Sequence, residues 1–358
     1  PGPSPDPPLI GVHPLQTVLV TGAAGFIGFH LSRLLLAEGV RVVGLDSHND
    51  YYDPALKAAR EAQLIAQPGY EAVRGKVETP GLLADLMART KPEIVVHLAA
   101  QAGVRYSIEN PRAYVEANLD GSFELLEAAR AHPPRHLLMA STSSVYGANT
   151  EMPYRETDKV DTQMSFYAAT KKANEAMAHS YAHLFGLPVT MFRFFTVYGP
   201  WGRPDMAPYL FISAILAGRP IRVFNHGEMR RDFTYVADLV QGIRLLMDAV
   251  PPAPGGADAT APGGEAPAEG DSLSPVAPFR VVNIGNGDSV PLMDFIAAIE
   301  RAAGREAVMD FQPMQPGDVP ATWADNSLLR RLTGYAPRTS VEDGVRDYVA
   351  WFRAYYGG

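Results

Sequence analysis

The 358-residue chain contains no cysteine, which excludes disulfides, zinc–thiolate sites, iron–sulfur clusters and a thiol nucleophile before any motif is read. It also lacks an excess of positive charge. Lys and Arg total 31 against 39 Asp and Glu, a formal net charge of −8, the wrong sign for a protein that neutralises a phosphate backbone in bulk. Nucleic acid is therefore not an expected partner. No apolar run approaches the ~18 residues of a membrane span, so no membrane association is expected. The leading PGPSPDPPLIGVHP has neither a basic n-region nor an apolar h-region and reads as a flexible leader over residues 1–16 rather than a signal peptide. Together these absences fit a cytoplasmic protein.

What is present suffices for two lobes, since 47% of the residues are hydrophobic. TVLVT at Thr17–Thr21 is a β-branched run followed by GAAGFIG and then FHLSRLLLAEG, whose apolar positions recur at helical spacing: strand, glycine turn, helix. Further strand-like runs lie at Val40–Asp46, Ile94–Ala99, Arg135–Ser141 and Leu187–Phe192, separated by helical patterns at Thr79–Arg89, Pro111–Arg130 and Ser165–Phe185. Strands apolar on both faces alternating with amphipathic helices predict an α/β fold, a doubly wound parallel sheet of Rossmann type over residues 17–199. After Gly199 the strand-like runs shorten (Ile221–Phe224, Arg280–Ile284, Val308–Phe311) between helical stretches, which predicts that residues 200–358 form mainly a smaller α/β lobe that binds substrate. Residues 251–278, rich in Pro, Gly and Ala, read as a low-complexity surface loop within that lobe.

Gly22, Gly25 and Gly28 directly follow a strand and open a helix, the context in which backbone amides and a helix N-terminus meet a pyrophosphate. Asp46 closes the next strand, where an acid accepts from both hydroxyls of an adenosine ribose and repels a 2′-phosphate, so NAD is favoured over NADP. Tyr167 and Lys171 share a helix face at i, i+4. Thr142 adds a hydroxyl at the carboxyl edge of the sheet, where doubly wound folds bind ligands. His179 and His183 also share a helix face, but no acidic or cysteine partner stands at ligand spacing, and no metal is expected there.

With the glycine turn, HLAAQAGVR at His97–Arg105, the Thr142/Tyr167/Lys171 set and RRDFTYVADL at Arg230–Leu239, the chain resembles the extended short-chain dehydrogenases/reductases that act on nucleotide sugars. YGPWGRPDMAP at Tyr198–Pro208 and PMQPGDVPAT at Pro313–Thr322 are most similar to UDP-glucuronic acid 4-epimerases. The resemblance implies oxidation of C4 to a ketone with NAD, turnover of the keto-sugar and reduction from the other face. Tyr167 would be the base on O4, its phenolate favoured by the ammonium of Lys171 together with a cationic nicotinamide. Lys171 would also hold the nicotinamide ribose, and Thr142 would hydrogen-bond O4.

The same resemblance implies cofactor contacts from Phe26, Ile27, Ser47, Asn49, Lys76, Val77, Leu98, Ala99, Ala100 and Phe194. It implies a carboxylate site of Thr142, Ser143, Ser144, Thr196 and Arg203, with Arg105 a further substrate contact. Arg231 would meet the diphosphate, Phe224 would pack on uracil and Asp318 would accept from the uridine ribose. Related 4,6-dehydratases carry Asp-Glu after the Thr, and decarboxylases a Glu two residues after it. Ser143 and Ser144 stand there instead, which disfavours both. UDP-glucose 4-epimerase, UDP-glucuronate decarboxylase and a non-catalytic NAD(H)-binding regulator remain open as alternatives. One departure is Gly75-Lys76, where relatives usually place Gly-Asp with the Asp accepting from adenine. The resemblance also implies a homodimer joined through Pro111–Arg130 and Ser165–Phe185.

Overall fold

The computed structural model describes residues 16–254, 269–315 and 317–357. All of the expected leader except Gln16, and residues 255–268 of the low-complexity stretch, lie outside the described residues. Seven strands form one sheet: β1 (Thr17–Thr21), β2 (Arg41–Asp46), β3 (Tyr70–Arg74), β4 (Ile94–His97), β5 (His136–Thr142), β6 (Val189–Phe194) and a last strand at Phe279–Ile284. Their spatial order is last strand, β6, β5, β4, β1, β2, β3, all parallel. Helices α1 (Phe26–Ala37), α2 (Pro54–Ile65) and α3 (Leu82–Thr90) connect the first four strands.

The two-residue period of a strand explains the layering. Val18 and Val20 of β1 enter one core with Phe29 and Leu31 of α1, while Leu19 enters the opposite core with Leu83, Leu125 and Ala182. Both faces are thus covered by helices, as a parallel sheet requires. The order of the strands reverses between β1 and β4, which opens a crevice at their carboxyl ends.

Two placements made from sequence are corrected. The run at Arg280–Ile284 belongs to the central sheet, pairing with β6 from Phe279 opposite Val189 to Ile284 opposite Phe194. All six of its residues are buried, and the sheet's two helical layers provide that cover. The helix Val236–Leu246 also returns to this unit, packing Leu239, Val240 and Ile243 into the core of Val18 and Phe29. The second lobe keeps its own core, in which the helices Ala207–Ala217, Leu292–Ala303 and Val341–Tyr356 meet and Phe233 stacks on Phe295 at 3.9 Å.

The helix expected over Pro111–Arg130 is interrupted by a π-helical turn at Val115–Asp120. That turn carries Asn118, whose amide Oδ1 accepts from Gln101 N at 2.8 Å while Nδ2 donates to Gln101 O and Thr170 Oγ1 at 3.0 Å each. The surface loop expected over 251–278 is packed at its described end. Asp271 pairs with Arg280, Ser274 bonds His179 at 2.8 Å, the Val276 carbonyl meets His183 at 2.8 Å, and Ala277 is fully buried. His179 and His183 therefore anchor the chain as it returns to the sheet.

Candidate active site

A cavity of about 400 Å³ occupies the crevice, and every residue that the sequence assigns to a cofactor lines it. Gly22, Gly25, Phe26, Ile27 and Gly28 form its floor at the start of α1. Asp46, Ser47, Asn49, Lys76 and Val77 come from the ends of β2 and β3, Leu98, Ala99 and Ala100 from the end of β4, and Tyr167, Lys171 and Phe194 close the other side. The turn is fitted for a close backbone approach. Gly22 has φ +71°, and a Cβ on Gly28 would lie 2.1 Å from the Gly22 carbonyl oxygen. Gly25 caps α1 without a side-chain hydrogen bond, which leaves the helix N-terminus for an anion. Asp46 is held by Ala24 N on Oδ2 at 3.0 Å and by His48 N on Oδ1 at 2.8 Å. The Lys76 ammonium is well exposed and reaches Glu78 at 3.6 Å. These residues fit a dinucleotide whose ribose is read by a carboxylate.

Ser165 starts the helix Phe166–Phe185 by accepting from Ala168 N at 3.1 Å, and this places Tyr167 and Lys171 on the cavity. Lys171 is 2% exposed, and burial pulls its pKa down to about 8 against the opposing charge of Glu175. His97 beneath it is held at about 3 by burial and by Lys171, and is neutral. The expected lowering of the Tyr167 pKa by Lys171 is not what this protein alone does. Burial pushes the phenol up, and the groups that oppose the rise are Thr142 and Arg203. Thr142 ends β5, with its Oγ1 accepting from Ser144 N and donating to Ser144 Oγ, both at 3.2 Å. Ser144 is thus tied by ordinary strand-end hydrogen bonds, and Ser143 opens the same 3₁₀ turn.

A second cavity, about 600 Å³, lies between the lobes and is lined by Arg105, Thr196, Phe224, Arg231 and Asp318. Arg231 and Asp318 pair with each other at 2.8 Å, and the guanidinium of Arg105 covers the ring of Phe224 at 4.8 Å. Arg203 lines the first cavity, while Asp205, its ion-pair partner, lines the second. Tyr51 and Tyr106 line both.

Sequence reasoning missed the contribution of α2. Asp53 caps it by accepting from Ala55 N at 2.9 Å and Pro54 takes its first position, a start signal readable from sequence. Its Lys57 lines the first cavity, and its fully buried Arg60 donates to Ala24 O at 3.0 Å and to Trp201 O at 2.6 Å. The glycine turn and the segment ahead of Arg203 are thereby fixed to one guanidinium.

Residues 18–257 match the NAD dependent epimerase/dehydratase family, and the chain belongs to it. A relative from Rhizobium meliloti, named a probable UDP-glucuronate 4-epimerase, is 52% identical over 338 residues, covering 94% of this chain and 97% of its own. UDP-glucuronate 4-epimerase 4 of Arabidopsis thaliana is 45% identical over 347 residues, 96% of this chain and 76% of its own. The crystal structure of UDP-glucuronic acid 4-epimerase from Bacillus cereus, in complex with UDP-glucuronic acid and NAD, superposes with a TM-score of 0.83 at 31% identity, covering 95% of this chain and all of that one.

Proposed function

We propose that this member of the NAD-dependent epimerase/dehydratase family interconverts UDP-glucuronate and UDP-galacturonate by inverting C4 of the sugar. The observation that carries the reading is the meeting of two cavities at one ion pair. Arg203 lines the cofactor crevice, and Asp205, its ion-pair partner, lines the space between the lobes. The names of the relatives support the same substrate. Bound NAD would supply the oxidant for C4 and return the same electrons to the opposite face.

Within the chain, Tyr167 takes the O4 proton, and Thr142 and Arg203 counter the rise that burial imposes on its phenol. Lys171 brings positive charge to the same wall. A 4-keto uronic acid is a β-keto acid and loses CO2 when its carboxylate bond aligns with the carbonyl π system. Arg203, Thr196, Ser143 and Ser144 serve to hold that carboxylate out of alignment. With serines after Thr142, no carboxylate stands there to act in elimination, which sets the reading apart from dehydration and decarboxylation.

Arg231, Asp318 and Phe224 in the inter-lobe cavity receive the UDP end. Binding there needs Arg231 to share its donors with Asp318 and Arg105 to share or leave the Phe224 face. No helix among the described residues is long and apolar enough to cross a membrane. The protein acts in the cytoplasm as a homodimer. Exposed Phe123, Phe166, Leu184 and Phe185 on the helices Gly121–Ala131 and Phe166–Phe185 support that contact.

Purified protein incubated with UDP-glucuronic acid, with products separated by chromatography, tests the reading. UDP-galacturonic acid is expected. A UDP-pentose as main product, or conversion of UDP-glucose alone, overturns it.

A further inference from the structure

Arg203 is held before any ligand arrives. Its Nε donates to Asp205 Oδ1 at 3.1 Å and its Nη2 to Asp205 Oδ2, so one edge of the guanidinium is filled by a carboxylate of the same chain. A guanidinium carries five N–H donors, and this leaves the Nη1 edge without that partner. Asp205 is itself held, because Tyr51 donates its hydroxyl to Asp205 Oδ2 at 3.2 Å.

Tyr51 in turn is fixed from two sides. Its ring packs on Tyr106 at 4.8 Å between centroids, and its hydroxyl lies against Gly103, where a Cβ would come within 2.8 Å of it. Gly103 has φ +108°, so the loop that carries Arg105 takes a turn suited to glycine against this phenol. The main chain ahead of Arg203 is pinned as well, since Trp201 O accepts from the buried Arg60.

We infer that Tyr51 and Asp205 are positioning residues for substrate selectivity, holding Arg203 by its Nε/Nη2 edge so that the other edge serves the sugar carboxylate. The inference rests on the function proposed above. A carboxylate beside an anion-binding arginine would be expected to repel a second anion. Here the orientation it imposes outweighs that cost, because bidentate recognition depends on where the fork points more than on its charge alone. The effect of Tyr51 and Asp205 falls most heavily on sugars that carry the carboxylate.

The test compares Tyr51→Phe and Asp205→Ala with the wild-type NAD holoenzyme, using UDP-glucuronate and the C6-neutral UDP-glucose. Calorimetry reads binding of each nucleotide sugar, and chromatography reads turnover and UDP-pentose by-product. Tyr51→Phe keeps every charge and all but one hydroxyl, so it stays informative if Asp205→Ala fails to fold. The expected result is about tenfold weaker binding of UDP-glucuronate, the worth of one charge-assisted hydrogen bond, with a clearly smaller loss for UDP-glucose and more UDP-pentose formed. Equal losses for both sugars, or none, overturn the inference. Tighter binding of UDP-glucuronate by Asp205→Ala also overturns it, by showing that Asp205 competes for Arg203 rather than orienting it. Failure of the wild type to convert UDP-glucuronate is a separate result that strikes the proposed function first.

Discussion

Glu175 accepts from Nε and Nη2 of Arg193 at 2.9 Å each, with both side chains only 3% exposed. Ser141 adds a third donor at 2.7 Å. The pair ties together three positions that the chemistry needs in register. Glu175 lies one turn beyond Lys171, Ser141 immediately precedes Thr142, and Arg193 immediately precedes Phe194. Lys172 also reaches Glu175 at 3.5 Å from a partly exposed position, so removing Arg193 strips the buried carboxylate of its bidentate partner at a loss of up to about 3–5 kcal/mol. Arg193→Met is expected to lower the urea midpoint by a corresponding amount, and Glu175→Leu with Arg193→Met to recover much of it. An unchanged midpoint in the single variant refutes the role given to the pair.

The cofactor crevice was legible in the sequence because its determinants are local. A glycine turn after a strand and an acid at the end of the next strand carry their geometry within a few residues. The rest depends on contacts between segments far apart in the chain. FRVVNI reads as a strand, but nothing within it states that its partner is Val189–Phe194. Arg60 looks like a solvated helix residue until the fold brings it to the carbonyls of Ala24 and Trp201. The π turn at Val115–Asp120 follows from Asn118 meeting both Gln101 and Thr170, partners that helical periodicity does not report.

Gly28→Ala places a methyl group 2.1 Å from the Gly22 carbonyl oxygen, a backbone atom that cannot swing aside. Either α1 or the turn must shift, at about 1–3 kcal/mol, and the shift falls where the pyrophosphate is expected. Purified Gly28→Ala should retain less NAD than wild type, measured as nucleotide released on denaturation. Equal NAD content contradicts the assignment of this turn.

By the family resemblance Lys76 takes the place of an Asp that would accept a hydrogen bond from adenine, and its ammonium reaches Glu78. An ammonium donates only. Lys76→Asp is therefore expected to bind NAD more tightly, by up to about tenfold for one added hydrogen bond. Fluorescence titration of NAD-depleted protein measures it, and equal affinities in the two proteins leave the adenine site elsewhere.

Glu156 gives a pH signature of stability that is independent of catalysis. Its carboxyl is 7% exposed and accepts from Asn283 N at 2.8 Å, and burial pushes its pKa up to about 7, with that N–H and Arg193 only partly opposing. In the unfolded chain the same group titrates near 4.3. Between those two pH values the folded state holds a proton that the unfolded state has released. Stability therefore falls as pH rises from about 4 to 7, by about 4 kcal/mol in all at about 1.4 kcal/mol per pH unit, and the penalty is fully present above pH 7. Glu156→Gln keeps an oxygen to accept from Asn283 N and removes the titration. Subtracting its melting temperature from that of the wild type at each pH cancels the groups common to both proteins. The variant should gain most over wild type at pH 8 and least at pH 5. A difference that stays level between pH 5 and pH 8, or grows toward acid, means that Glu156 is ionised in the folded protein throughout and that its surroundings stabilise the charge.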